Sequence, residues 1–164
     1  MNCRNCGAPL AFAPDRGYFH CEYCGSLYFP GKTGDGVLDL EMHSDLQCPV
    51  CRIPLVLASV GGTQVLRCQR CRGILMPQQA FAVAIRVLRA TATDPPMAPP
   101  PMNRQDLHRR IECPHCGRTM DTHPYAGPGN IVIDNCPHCR VNWLDYCEFQ
   151  RIVDAPGRDR RLPH

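Results

Sequence analysis

Twelve of the chain's thirteen cysteines fall in six C-x2-C pairs, Cys3/Cys6, Cys21/Cys24, Cys48/Cys51, Cys68/Cys71, Cys113/Cys116 and Cys136/Cys139, and Cys147 stands alone. Neighbouring pairs join into three quartets, with 14, 16 and 19 residues between the inner cysteines. These spacings match or lie near those of four-cysteine zinc sites. The reason is geometric. Two thiolates three positions apart in a tight turn grip one face of a tetrahedral ion, and a hairpin returns the second pair to the other face. The pattern predicts three Zn2+ ions, one per four-cysteine site. Disulfides are the rival reading. They need an oxidising compartment, and a bridge within C-x2-C closes almost no loop and stabilises little. The stretch Met1 to Cys6 carries no apolar signal core, so a cytoplasmic location is expected. Rubredoxin-like iron uses the same four thiolates, and a colourless rather than red sample distinguishes zinc from it.

Other chemistry is sparse. His115 and His138 sit between ligand cysteines in C-P-H-C turns and are expected to point outward. His20, His43, His108 and His123 form no spaced constellation with a carboxylate or serine. With no nucleophile–base pair, phosphate-binding loop or three-ligand zinc site, the chain is expected not to be an enzyme. Cys147 reads as a half-buried helix cysteine.

Arg67, Arg70 and Arg72 flank Cys68 and Cys71. They are candidate nucleic-acid contacts, or they neutralise the thiolate cluster beside them; the second reading is favoured. A second group, Arg104, Arg109, Arg110, Arg158, Arg160 and Arg161, is interspersed with acids and reads as solvated surface. Metal shifts the balance of charge. Four thiolates and one divalent ion leave a site at −2, so three filled sites take the formal net charge from +3 to about −3. That weakens the case for nucleic acid, which rests on cationic excess.

The cysteine pairs must be carried by turns and hairpins, and the sequence repeats them. A shift of 68 residues lays Cys68 to Met76 over Cys136 to Leu144, Phe81 over Phe149 and Ile85 over Val153. Each unit is a knuckle, a β-hairpin, a second knuckle and an apolar exit segment. The expected fold is small, metal-bound and mostly β: three tandem zinc ribbons, with short helices after the second and third. The boundaries are ribbon 1 at 1–29, a connector at 30–45 with a short strand at Val37–Leu40, ribbon 2 at 46–77, a helix at 78–92, a proline-rich linker at 93–103, ribbon 3 with its flanking segment and helix at 104–153, and a tail at 154–164. Leu55 to Val60, Gly61-Gly62 and Thr63 to Leu66 read as strand, turn, strand. Pro77 opens the first helix. The second helix is placed at Trp143–Val153, with Asp145 and Glu148 in the arrangement of a capping box. The tract Asp94 to Met102 reads as an extended spacer that sets ribbon 3 apart.

Ribbons 2 and 3 resemble the transcription-factor-IIB-type zinc ribbon family. The resemblance lies in Cys113-Pro114-His115-Cys116, Cys136 to Cys139, Trp143-Leu144-Asp145 and Glu148-Phe149. Val141 stands where the family favours glycine, whereas ribbon 2 keeps Gly73 but has Leu75-Met76-Pro77 in place of Trp-Leu-Asp. The resemblance implies zinc binding, a small β fold and a link to transcription. The functional expectation is a non-enzymatic protein-interaction adaptor with no membrane association; Trp143, Phe149 and Phe81 are its candidate apolar surface, although packing of each helix on its own ribbon is the favoured reading for most of them. A nucleic-acid-binding or transcription-associated protein is the alternative.

Overall fold

The computed structural model describes residues 1–13, 18–28 and 35–160. Ribbon 1 is built from three short strands, β1 (Ala11–Ala13), β2 (Tyr18–His20) and β3 (Leu27–Tyr28), in one antiparallel sheet. Phe29, and residues 30–34 of the expected connector, lie outside the described residues. From residue 37 that connector is mostly strand: β4 (Val37–Gln47) pairs with β5 (Pro54–Val60). Two register shifts bend β4, one on either side of His43. β5 turns into β6 (Thr63–Arg67) through Gly61 and Gly62, both at positive φ. With Val60 paired to Thr63, this is the two-residue hairpin turn read from the sequence.

β7 (Ile74–Pro77) follows the second knuckle and leads into α1 (Gln78–Thr91), with Pro77 as its N-cap. Ribbon 3 supplies β8 (Asp121–Pro124), β9 (Val132–Cys136) and β10 (Val141–Leu144), and then α2 (Glu148–Asp154). The expected helix start at Trp143 is therefore corrected. Val141 to Leu144 pair with β7 on one side and, over Val141–Trp143, with β9 on the other. All four residues are buried, as in a strand covered on both faces, and the helix waits for Cys147, whose φ of 65° redirects the chain.

Ribbons 2 and 3 are not beads on a spacer. Their strands form one seven-stranded antiparallel sheet in the order β4-β5-β6-β7-β10-β9-β8. At the seam Leu75 pairs with Trp143, its own counterpart under the 68-residue repeat. The two ribbons thus meet through the same strand, about a local twofold axis at that pair. The proline tract lies against α2: Met97 N–H donates to the Asp154 carbonyl at 2.8 Å, and Asn130 Nδ2 donates to the Pro100 carbonyl at 3.3 Å.

Strand alternation sorts the side chains of the seam. Ile74, Met76 and Leu144 face α1 and α2 and join Phe81, Ile85, Phe149 and Ile152 in one core. Leu75, Val141 and Trp143 lie in a second core that includes Cys48, Cys68, Cys113 and Cys136. A third, smaller cluster packs Phe19 of ribbon 1 on Leu38 and Leu40 of β4. Burying so much apolar surface across the seam supplies what a lone ribbon of this size lacks.

The basic residues expected to be solvated include two structural clamps. Arg109 bonds Asp134 at 2.6 Å and Asp145 at 2.8 Å. Arg160 is buried, donating to the Val153 carbonyl and, at 2.5 Å, to that of Asp94. Arg89, also buried, donates to the carbonyls of Ile152 and Ala155 and grips Asp159. Together they tie linker, α1, α2 and tail to one another. Arg161 lies outside the described residues.

Candidate metal centres

All six knuckles share one backbone plan. The carbonyl of the first cysteine accepts the N–H four residues on, at 2.8 Å in five of them and 3.0 Å at Cys48. That fourth residue always has positive φ: Gly7, Gly25 and Gly117, but also Arg52, Arg72 and Arg140, at 60°, 59° and 55°. The turn aims both thiols, and the amide of the second cysteine, toward one point. Cys51 N–H approaches Cys48 Sγ at 3.2 Å and Cys139 N–H approaches Cys136 Sγ at 3.4 Å. Amide donors of this kind stabilise thiolates.

The hairpins close the three quartets in sequential pairing: Cys3/Cys6/Cys21/Cys24, Cys48/Cys51/Cys68/Cys71 and Cys113/Cys116/Cys136/Cys139. In each the four sulfurs lie within 4.8 Å of one another. The closest cross-knuckle approaches are Cys6–Cys21 at 3.4 Å, Cys3–Cys24 at 3.6 Å, and Cys48–Cys71 and Cys116–Cys136 at 3.7 Å. Four ligands about 2.3 Å from a tetrahedral zinc ion stand about 3.8 Å apart, so the donor sets fit the ion. The electrostatics call for it too. Hydrogen bonding to the Arg118 N–H helps hold Cys116 down to about 7, while burial and its neighbouring thiols push Cys139 up to about 12. Four adjacent thiols share their protons unequally, and a divalent cation lets all of them ionise.

The sites differ in setting. The first cysteine of every knuckle is buried. The second is half-buried in ribbons 2 and 3, but Cys6 and Cys24 of ribbon 1 are exposed. Sites 2 and 3 contribute their buried cysteines to a single core around Leu75 and Trp143, and Arg52 Nη2 meets Glu112 Oε2 across the two ribbons at 3.5 Å.

Of the candidate nucleic-acid contacts, Arg70 and Arg72 are exposed, the latter with its guanidinium 5.4 Å from the centre of the Tyr146 ring. Arg67 is corrected. It is buried at 1% exposure and bonds Asp35 at 2.8 Å and Asp39 at 3.0 Å, out of reach of a phosphate. The sequence shows these acids only in the connector, so their approach was not legible. Trp143, Phe149 and Phe81 are all buried, packed within the body as the favoured reading has it, and offer no docking surface.

Half of the capping box forms. Glu148 accepts from the Asp145 N–H at 2.7 Å, but the Asp145 carboxylate faces Arg109 and Trp143 Nε1 rather than the helix. Asp106, Asp145 and Glu148 cluster closely enough to suggest a cation, yet Arg109 already answers Asp145, so the cluster reads as structural.

Trp143 also accounts for the glycine that only one ribbon keeps. A Cβ on Gly73 would stand 2.2 Å from Trp143 Cζ2. Tryptophan in ribbon 3 therefore needs glycine in ribbon 2. At the symmetric place the smaller Leu75 is accompanied by Val141. The departures of both ribbons from the family pattern are complementary across the seam.

Residues 47–80 and 112–155 match the family model described as transcription factor zinc-finger, of the zinc ribbon type of transcription factor IIB. No curated protein and no solved structure matches the chain. The matched segments contain sites 2 and 3, and site 1 repeats their ligand chemistry with three Zn2+ ions as the complement of the whole.

Proposed function

With residues 47–80 and 112–155 matching the transcription-factor zinc-finger family model, we propose that the chain is a non-enzymatic adaptor whose rigid pair of fused ribbons presents ribbon 1 to a protein partner. The observation that carries this reading is Tyr23. It lies between ligands Cys21 and Cys24 and is 81% exposed, and Leu27, four residues on, is 51% exposed. Leu27 also lines a cavity of about 210 Å3, together with Met1, Leu10, Tyr28 and the polar Asn2, Arg4, Asn5 and Ser26. Large apolar side chains held out by a metal-fixed knuckle lose little entropy on binding. Tyrosine is also favoured at the centres of protein interfaces.

Four-thiolate coordination leaves no open position for a substrate, which supports a structural role for the metal. Thiolate ligands suit a reducing compartment, so the cytoplasm is the proposed location. Among the described residues no helix is long and apolar enough to cross a membrane. The test is affinity capture by the zinc-loaded chain from nuclease-treated extract, beside the double variant Tyr23→Ser, Leu27→Ser with unchanged zinc content. A discrete protein partner that the variant loses is the expected result.

Nucleic acid is the second reading. It is favoured by exposed Arg70, Arg72, Arg118 and Arg140, all at the knuckles of the two fused ribbons. Binding of labelled duplex DNA or single-stranded RNA that weakens steeply with salt, and that falls with Arg70→Glu and Arg72→Glu, would replace the adaptor reading.

A further inference from the structure

Site 1 is built from the same ligands as the other two, yet its surroundings differ in two ways that bear on thiol chemistry. First, access. Cys6 and Cys24 are exposed, whereas Cys51, Cys71, Cys116 and Cys139 are each half-buried. Thiolates are the nucleophiles of cysteine oxidation, and susceptibility follows thiolate character and exposure. Second, consequence. Sites 2 and 3 are embedded in one shared core with Leu75 and Trp143. Among the described residues ribbon 1 is held by strands of three, three and two residues and by one small cluster, Phe19 on Leu38 and Leu40 with Phe12, Tyr28, Met42 and Leu57 around them. Its metal is thus both the easiest to reach and the one whose loss the rest of the fold best survives.

We propose that site 1 is a peroxide-sensitive modification site: oxidation of exposed Cys6 or Cys24 joins it to the cysteine it faces across the cluster, removes two of the four ligands and lets ribbon 1 come away from β4.

The chemistry balances with hydrogen peroxide as oxidant. The exposed thiolate attacks one peroxide oxygen. The O–O bond breaks, a sulfenic acid forms and hydroxide leaves. The facing thiolate, Cys21 for Cys6 at 3.4 Å or Cys3 for Cys24 at 3.6 Å, then attacks the sulfenic sulfur. The S–S bond forms and a second hydroxide departs, so two electrons pass from two sulfurs to peroxide and solvent protons yield two waters. The two thiolates that remain do not make a closed structural zinc site. Thiol reductant and free zinc reverse the change.

The experiment titrates hydrogen peroxide into the full-length zinc-loaded chain. It follows metal release with a chromogenic chelator and maps disulfides by peptide mass spectrometry. The expected result is one of the three zinc equivalents leaving at least about tenfold faster than the others, with the first disulfide among Cys3, Cys6, Cys21 and Cys24. Cys24→His, which keeps four zinc donors but removes an exposed thiolate, slows that phase. Release of all three equivalents together overturns the proposal, as does a first disulfide within either of the other quartets. The map on the wild-type chain decides whether or not the variant folds. These readouts are metal and thiol, so the outcome is separate from that of the adaptor reading.

Discussion

At the scale of single residues, the knuckles set backbone strain against charge. Arg140 occupies the left-handed position that glycine holds in three other knuckles. It is exposed, and its N–H bonds the Cys136 carbonyl at 2.8 Å whatever its side chain. A side chain there costs on the order of 1 kcal/mol, while its positive charge offsets part of the −2 of a filled site. Strain outweighs a solvent-screened charge, so Arg140→Gly is expected to raise stability by about 0.5–1 kcal/mol. The check is the urea midpoint of zinc-saturated protein at unchanged slope; a lower midpoint would show that the guanidinium matters more than the strain. Glu148 is the other residue whose setting has a measurable cost. Burial pushes its carboxyl from 4.5 to about 8. Between those values the folded state holds a proton that the unfolded state has released, so stability falls as pH rises. The loss approaches about 1.4 kcal/mol per pH unit across that window. Glu148→Gln keeps an acceptor for the Asp145 N–H and has no charge to bury. With zinc in excess, its stability between pH 6.5 and 8 is expected to be flat where that of the wild type declines; parallel curves would place the slope on another group.

At the scale of elements, β7 and β10 are where two copies of one motif became complementary. Gly73→Ala puts a methyl group into the Trp143 indole, and overpacking of this kind costs about 1–3 kcal/mol. Trp143→Leu in the same chain makes room, so the double variant is expected to lose less than the two single losses added together. Thermal melts of the four proteins in a double-mutant cycle measure this, and strict additivity would mean that the contact carries no coupling. How far such elements could be read in advance depends on how local their cause is. The cysteine quartets were legible because ligand spacing and turn geometry lie within a few tens of residues. So was the Gly61-Gly62 hairpin, where two adjacent glycines meet the demand for positive φ. The expected helix at Trp143–Val153 began two residues inside the strand Val141–Leu144, because nothing local to Trp143 and Leu144 separates a buried strand end from the start of an apolar helix. What makes it a strand is pairing on two sides, one of them to a residue 68 positions away. The burial of Arg67 and Arg89 was not legible because the acids and carbonyls that receive them come from distant parts of the chain. The gap between Gly73 and Val141 did hold a signal: two near-copies that depart from one pattern at complementary positions.

At the scale of the whole molecule, the fused sheet decides how metal is coupled to folding. In a chain of independent ribbons, each would live or fail with its own ion. Here Cys48, Cys68, Cys113 and Cys136 share one core, and α1 and α2 cover the other face of the seam together. Structural zinc supplies on the order of 10 kcal/mol to a small domain, more than the marginal stability of most folds. Losing site 3 therefore uncovers the edge of β7 and half of the apolar seam, and ribbon 2 cannot remain as it was. The double variant Cys116→Ser, Cys139→Ser is expected to disturb the backbone NMR signals of β5 and β6, far along the sheet, and to weaken zinc retention at Cys48, Cys51, Cys68 and Cys71. The matching lesion in ribbon 1, Cys6→Ser with Cys24→Ser, is expected to leave two of the three zinc equivalents and the signals of β5 to β10 nearly unchanged, because among the described residues ribbon 1 packs on the body through the small cluster around Phe19, Leu38 and Leu40. The pair of variants separates the two architectures. Equal and local effects would describe three beads on a string, whereas a lesion that spreads from site 3 and stays confined at site 1 describes a two-ribbon body carrying a detachable head.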